Sequence, residues 1–97
     1  MNFKWDAEKN KLLKSERNVC FEDVIALIYE DKVLDIIAHP THPNRERYPH
    51  QRMYIVRIQG YVHMVPLVKN GDEIWLKTIV PSRKMNKIYK GVGDANG

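Results

Sequence analysis

A change in hydrophobic period constrains the fold of this chain more than any other feature. Up to about residue 31, apolar side chains recur at helical spacing, whereas three later segments alternate apolar and polar side chains as strands do. These segments are residues 52–58, 61–68 and 73–80. Their connections, Gln59-Gly60 and Lys69-Asn70-Gly71-Asp72, are short enough for hairpins. The pattern predicts a continuous antiparallel meander of three strands.

The segments outside the meander add helices and short strands. Asp6 is a suitable cap for a helix over about residues 7–17, and Asn18 can end that helix because Asn tolerates the left-handed conformation. A second helix is predicted over about residues 21–31. The remaining elements are short strands at residues 2–5 and 33–38 and a helix that begins near Ser82 and ends before Gly91. Residues 39–50 hold three prolines and are predicted to be a loop.

Length and composition indicate one domain. The 97 residues, 43% hydrophobic and 29% charged, suit a single modest core. We expect this domain to span residues 1–91 and residues 92–97 to form a flexible tail. No apolar run approaches the roughly 20 residues that cross a bilayer, and the amino terminus has no apolar centre of the signal-peptide kind. With Cys20 as the single cysteine, these features predict a cytoplasmic protein that does not contact a membrane.

The positive charge is concentrated in the second part of the chain. Residues 1–35 hold six basic and eight acidic side chains, residues 36–71 hold five and one, and residues 72–97 hold five and three. This distribution suits a polyanion such as nucleic acid, or an acidic protein partner. A basic surface that is only solvated remains the alternative.

Strand alternation divides the meander into two predicted faces. One set is apolar and is expected to pack under the two amino-terminal helices. Its members are Met53, Ile55, Val62, Met64, Ile74 and Leu76. The other set mixes aromatic and cationic side chains, namely Arg52, Tyr54, Val56, Tyr61, His63, Val65, Trp75, Lys77 and Ile79. Aromatic rings beside cations suit unpaired bases and phosphates, although one side of an antiparallel sheet is often simply exposed to water.

The start of the last predicted helix is unusually basic. Ser82 resembles a helix cap, yet Arg83 and Lys84 occupy the first turn, where the helix dipole disfavours cations. A phosphate bound at this helix start would reverse that preference. Lys77 and Arg52 are predicted to lie on the same face nearby. The alternative is that the cations of the first turn point into water.

The four histidines raise two possibilities, a metal site and proton transfer. His39 and His42 are three residues apart, but they lie in the proline-rich loop and no other ligands stand at zinc spacing. We therefore expect no metal. His63 or His50 is a better candidate for carrying a proton, because imidazole titrates near neutral pH. No glycine-rich phosphate loop or dinucleotide motif is present, so no cofactor is expected.

Four segments that together cover roughly residues 2–90 match a known family pattern. They are FKWDAEKNKLL, VCFEDVIALI, RYPHQRMYIVRIQGYVHMVPLV and IWLKTIVPSRK, followed by a Tyr near the end. The opening F-x-W-D and the ending K-T-I-x-P-S-R-K are the more specific parts. In these segments the chain resembles the BrnT-like toxins, small bacterial proteins of the RelE/ParE superfamily. The resemblance implies an α+β fold with an antiparallel twisted sheet of four to five strands, two amino-terminal helices and one carboxy-terminal helix.

The chain departs from the family pattern between the first two helices. The family commonly has Lys-His-Gly and then Val-Ser-Phe-Glu where this chain has Glu16-Arg17-Asn18 and then Val19-Cys20-Phe21-Glu22. Arg17 therefore stands where the family has a His, Asn18 where it has a Gly, and Cys20 where it has a Ser.

The resemblance also implies a ribonuclease that blocks translation. The 2′-hydroxyl of the RNA would attack the adjacent phosphate, so the protein would orient the strand, stabilise the charge on the phosphate and move protons without a metal. The residues expected to be catalytic are Arg52, His63, Lys77 and Arg83. Those expected to bind RNA are Tyr54, Tyr61, Trp75, Lys84 and Tyr89. Tyr89 is also the weaker candidate for proton transfer.

A toxin of this class has a defined set of partners. The resemblance implies a cognate antitoxin encoded alongside, with operator DNA contacted only through the antitoxin, and an RNA substrate. The alternative is a non-enzymatic module of the same fold that binds RNA or protein and cleaves nothing.

Overall fold

The computed structural model describes residues 2–38 and 51–91, which form a mixed α+β structure of three helices and a six-stranded sheet. In chain order the elements are β1 (Asn2–Lys4), α1 (Ala7–Arg17), α2 (Phe21–Tyr29), β2 (Asp35–Ala38), β3 (Gln51–Ile58), β4 (Tyr61–Asn70), β5 (Glu73–Leu76), β6 (Val80–Pro81) and α3 (Arg83–Ile88). The predicted two amino-terminal helices and one carboxy-terminal helix are confirmed. None of these helices is long and apolar enough to cross a membrane.

The sheet contains the predicted meander and two additions. The strand order is β1-β5-β4-β3-β2, with β6 paired to β4 alongside. The turn at Gln59-Gly60 has positive φ at both residues (54° and 80°), as a tight hairpin of type I′ requires. Antiparallel pairing of β3, β4 and β5 is confirmed, but β1 pairs with β5 in parallel. The sheet therefore has six strands rather than four to five, and it is not wholly antiparallel.

The extra strand arises because the predicted strand 73–80 is interrupted. Pairing of β5 with β4 stops at Leu76, and pairing resumes at Val80–Pro81, opposite Met64 and His63. Between them the Lys77 N–H donates to the Pro66 carbonyl at 2.8 Å. In a strand, the N–H and C=O of one residue point toward the same neighbouring strand. Pro66 has no N–H, so the hydrogen bond that would return to Lys77 is missing and the pairing is weaker at this position.

The boundaries of α1 agree with the sequence prediction because both of its ends are set by local chemistry. One carboxylate oxygen of Asp6 accepts hydrogen bonds from the N–H groups of Glu8 and Lys9 at 2.8 and 3.0 Å. Asn18 ends the helix in the left-handed conformation with φ of 57°. By contrast α2 ends at Tyr29 rather than residue 31, since Asp31 adopts a positive φ of 58°.

One face of the sheet, here called the α1/α2 face, carries the main core. The strand residues buried on it are Tyr54, Val56, Ile58, Val65, Leu67, Ile74 and Leu76. The helical side of this core is formed by Leu13, Phe21 and Val24. Val19 joins it from the connection between α1 and α2, and Ile79 from the segment after β5. Phe21 is fully buried and stacks on Trp5 with ring centroids 5.8 Å apart. The two amino-terminal helices are held to the sheet by this apolar contact.

The opposite face, here called the α3 face, carries a smaller cluster. Ile55 and Val62 are buried there with Met85 of α3, and the partly buried Met64 packs against them. Asn86 and Tyr89 fix α3 to the sheet: the Asn86 side-chain oxygen accepts from the Val62 N–H at 3.1 Å, and the Tyr89 hydroxyl donates to Asp35 at 2.7 Å. This helix therefore crosses the sheet from β4 to β2.

The predicted assignment of side chains to the two faces was wrong for β5. Two residues that pair across a hairpin lie on the same face, and a loop with an even number of residues pairs odd-numbered with even-numbered positions. Here Leu67, on the α1/α2 face, pairs with Leu76, and Val68 pairs with Trp75. Ile74 and Leu76 therefore lie on the α1/α2 face. The other four residues of the predicted apolar set, Met53, Ile55, Val62 and Met64, lie on the α3 face and not under the amino-terminal helices. Burial itself is confirmed for five of the six, Met64 being half-buried.

Candidate functional site

His63 is the nearly buried titratable group that the structure places near the start of β4, between β3 and β6. It lies in β4 on the α1/α2 face, opposite Val56 of β3 and Pro81 of β6, and is 7% exposed. Burial lowers the pKa of His63 below its usual value, and the nearby charge of Arg17 lowers it further, although a hydrogen bond to the Tyr61 carbonyl opposes both. The imidazole is therefore held in its neutral form at neutral pH.

The hydrogen bond of His63 also fixes which ring nitrogen is free. Nδ1 lies 2.9 Å from the Tyr61 carbonyl oxygen, which can only accept, so Nδ1 carries the proton. Nε2 is then an acceptor and has no hydrogen-bond partner among residues 2–38 and 51–91. Within that part of the chain no fully buried side-chain nitrogen or oxygen lacks a partner, so Nε2 must reach solvent. His63 thus keeps an unprotonated ring nitrogen that is not fully buried.

Arg17 completes this arrangement from the end of α1. Its Nη1 donates to the Ile79 carbonyl at 2.8 Å, which ties the helix to the segment leading into β6 and holds the guanidinium near His63. Tyr61 is 36% exposed, and its ring is edge-on to the imidazole with centroids 6.1 Å apart. We call Arg17, Tyr61 and His63 the edge cluster.

Sequence reasoning did not select Arg17 as a site residue. It marked Arg17 only as the residue that stands where the BrnT-like pattern has a His. That departure was the available signal, because the structure puts the position within electrostatic range of His63, 46 residues further along the chain. The neighbourhood depends on how α1 packs on the sheet, which the sequence pattern does not specify.

The two cations at the start of α3 follow β6 directly. Arg83 and Lys84 are exposed, and neither forms an ion pair within the residues that the structure describes. Ser82 caps the helix as predicted, its hydroxyl accepting from the Met85 N–H at 3.1 Å. However, α3 has only six residues, too few to make its first turn an anion site by itself. The two cations can contribute as charges on flexible side chains.

The predicted cation group around one phosphate is not assembled on one face. Arg52 is exposed on the α1/α2 face, where it pairs with Leu67. Lys77 lines a groove together with Trp75 and Val68, and Val68 pairs with Trp75 on the α3 face. The sheet therefore separates Lys77 from Arg52 and His63, which corrects the prediction that they share a face.

Of the aromatic residues predicted to stack on bases, two are engaged within the protein. Tyr54 is 7% exposed in the main core, and this burial raises its pKa, so its ring is not open to a ligand. Tyr89 donates its hydroxyl to Asp35, and this hydrogen bond raises the pKa of Tyr89. Tyr61 and Trp75 are more accessible, but they lie on opposite faces.

Three of the four histidines belong to the proline-rich loop and its end. His39, His42 and His50 lie outside the described residues, and so does the predicted flexible tail, residues 92–97. The metal interpretation of the first pair and the proton-transfer interpretation of His50 stay predictions from sequence.

Three comparisons with known proteins found no relative. No protein-family model matches the chain, no curated protein matches it, and no solved structure matches it.

Proposed function

We propose that this protein is a metal-independent ribonuclease toxin, BrnT-like and of the RelE/ParE superfamily, which cleaves RNA, inhibits translation and is neutralised by a cognate antitoxin encoded alongside it. The observation that carries the proposal is the edge cluster. A neutral imidazole whose acceptor nitrogen is not fully buried lies within electrostatic range of an arginine, and its partner strand β6 leads directly into the basic start of α3.

These residues suit cleavage by the RNA's own 2′-hydroxyl. Nε2 of His63 accepts the proton of the 2′-hydroxyl as that oxygen bonds to the adjacent phosphorus. The bond from phosphorus to the 5′-oxygen breaks, leaving a 2′,3′-cyclic phosphate on one product and, after that oxygen takes a proton from water, a 5′-hydroxyl on the other. The guanidinium of Arg17 offsets the charge that grows on the phosphate. Arg83 and Lys84, which follow the strand residue paired with His63, add to this positive charge.

The architecture and the charge supply secondary support. Two amino-terminal helices, an antiparallel meander and one carboxy-terminal helix are the elements that the resemblance to RelE/ParE proteins implies. The sequence carries a net charge of +4, and the excess is in the half that forms β3–β6 and α3. A basic toxin would need masking by its antitoxin in the cytoplasm, where RNA is accessible.

The decisive test is RNA cleavage by purified protein in EDTA. We expect cleavage of an unstructured RNA, with 2′,3′-cyclic phosphate ends, and none of the matching DNA, which lacks the nucleophile. His63→Gln should lower the rate by about 10²- to 10⁴-fold, the usual contribution of a general base. Lys87→Ala, an exposed lysine in the last turn of α3, is the matched control and should cleave normally. Thermal melting checks that each variant folds.

Two results would redirect the proposal. Full activity of His63→Gln would exclude the edge cluster as the site. RNA binding without cleavage by the wild-type protein, at every pH tried, would favour the non-enzymatic module.

The pH profile gives an independent check on His63. A base works only when unprotonated, and the pKa of His63 is lowered from 6.5 in the folded protein. The acid limb of kcat/KM should therefore fall below pH 6.5, with cleavage still near its maximum at pH 7. An acid limb centred above pH 6.5 would contradict the role given to His63.

A further inference from the structure

A groove on the α3 face has the composition of a nucleotide site and is separate from the edge cluster. It has a volume of about 480 Å³, and the described residues that line it are Val68, Lys69, Asn70, Trp75 and Lys77. That volume is within the range of about 300–1,000 Å³ that is usual for ligand sites. Trp75 and Val68 are half-buried, so one surface of the groove is apolar and the rim is polar.

The indole of Trp75 is held in a fixed orientation. Its Nε1 donates to the Glu73 carboxylate at 3.2 Å, which satisfies its single polar group. Val68 is its cross-strand partner in β4, and Lys4 is its neighbour in β1. A ring that is oriented before binding loses little freedom when a flat ligand stacks on it.

The charge around the indole is positive. Lys4 and Lys77 are exposed on the side of Trp75, and neither forms an ion pair within the described part of the chain. Against these cations stands the Glu73 carboxylate, which accepts the hydrogen bond of the indole. Lysines around an accessible aromatic ring are the combination with which proteins hold single-stranded nucleic acid, the ring stacking on a base and the cations contacting phosphates.

The strand arrangement favours a nucleotide over an extended peptide. A peptide commonly binds a sheet by adding a strand to a free edge. Here both edges of β5 are already occupied, by β4 on one side and β1 on the other. A ligand at Trp75 must therefore be recognised by side chains from above the sheet, which suits a stacked base.

We propose that the Trp75 groove binds one base of a single-stranded nucleic acid, with the base stacked on the indole and Lys77 contacting a flanking phosphate. The site is on the opposite face of the sheet from His63, so it does not depend on the cleavage reaction. A strand bound here would occupy a second surface of the protein.

The test uses fluorescence anisotropy to measure how tightly the full chain binds a labelled single-stranded DNA of about eight nucleotides. DNA lacks the 2′-hydroxyl, so the measurement is unaffected by whether the protein cleaves RNA. We expect Trp75→Leu to weaken binding roughly 5- to 150-fold, as expected for one lost stacking contact, and Trp75→Phe to recover most of it. Lys77→Gln should weaken binding and reduce the dependence on salt by about 0.7 in log–log slope.

Tyr29→Leu is the matched control, because Tyr29 is an aromatic residue 74% exposed on α2, outside the groove. It should bind like the wild type. Equal affinity of Trp75→Leu and wild type would overturn the proposal. Quenching of Trp75 fluorescence by an acidic peptide but not by the oligonucleotide would also overturn it. The Trp75→Leu variant gives the signal of Trp5, which is subtracted in that measurement. Lys77 is exposed, so the Lys77→Gln result stands even if a Trp75 variant folds poorly.

Discussion

On the α1/α2 face, helices of eleven and nine residues cover a core of twelve buried residues, whereas on the α3 face a helix of six residues covers a buried cluster of three. Both faces come from the same alternating strands. The difference lies in the covering helices, because two long helices exclude water from most of one face and one short helix does so only locally. Apolar packing should therefore dominate stability on the first face, and specific polar contacts should matter more on the second.

The largest expected effect is on the α1/α2 face. Phe21→Ala removes a fully buried ring that stacks on Trp5 and leaves a cavity between α2 and the sheet. We expect the free energy of unfolding to fall by about 3–5 kcal/mol. Urea unfolding followed by circular dichroism measures it. A loss below about 1 kcal/mol would show that the main core does not depend on this contact.

The corresponding change on the α3 face is Met85→Ala. Met85 is 6% exposed and has only a small buried cluster around it, so we expect a loss near 2 kcal/mol, the lower end for such truncations. Native-state hydrogen exchange should show faster exchange in α3 while α1 is unchanged. Equal acceleration in α1 would mean that the two faces unfold as one unit.

Tyr89→Phe tests the polar attachment of α3. The substitution removes the 2.7 Å hydrogen bond to Asp35 but keeps the ring and its packing. Asp35 is exposed and can be solvated instead, so we expect a loss of about 1 kcal/mol. Asp35→Asn is the complementary variant. If both single variants and the double variant melt like the wild type, the bond does not hold the helix.

The smallest effect is expected at Arg83. Removing this exposed cation from the first turn of α3 should leave stability unchanged or raise it by a few tenths of a kcal/mol. Lys87→Ala at the other end of the helix should lower stability by a similar amount, because a cation is favourable there. The two melting temperatures should therefore shift in opposite directions. A marked loss of stability in Arg83→Ala would show that this residue has a structural role.

Local chemistry made much of the fold predictable. The ends of α1, the tight hairpin at Gln59-Gly60 and the meander depend on residues that are close in sequence, and these predictions agree with the structure. The site was less predictable. The roles given to His63, Tyr61 and the basic start of α3 stay predictions, and the predicted shared face with Lys77 and Trp75 was wrong.

The sequence by itself determined the periods, the caps and the turns, because each depends on the intrinsic preferences of a few neighbouring residues. Tertiary structure decided which side chains meet. The break opposite Pro66 made β6 a separate strand, the hairpin register sent Trp75 to the face opposite His63, and the packing of α1 brought Arg17 to the imidazole. These contacts join residues far apart in the chain, and their free energy depends on the packing of the whole sheet rather than on any local pattern.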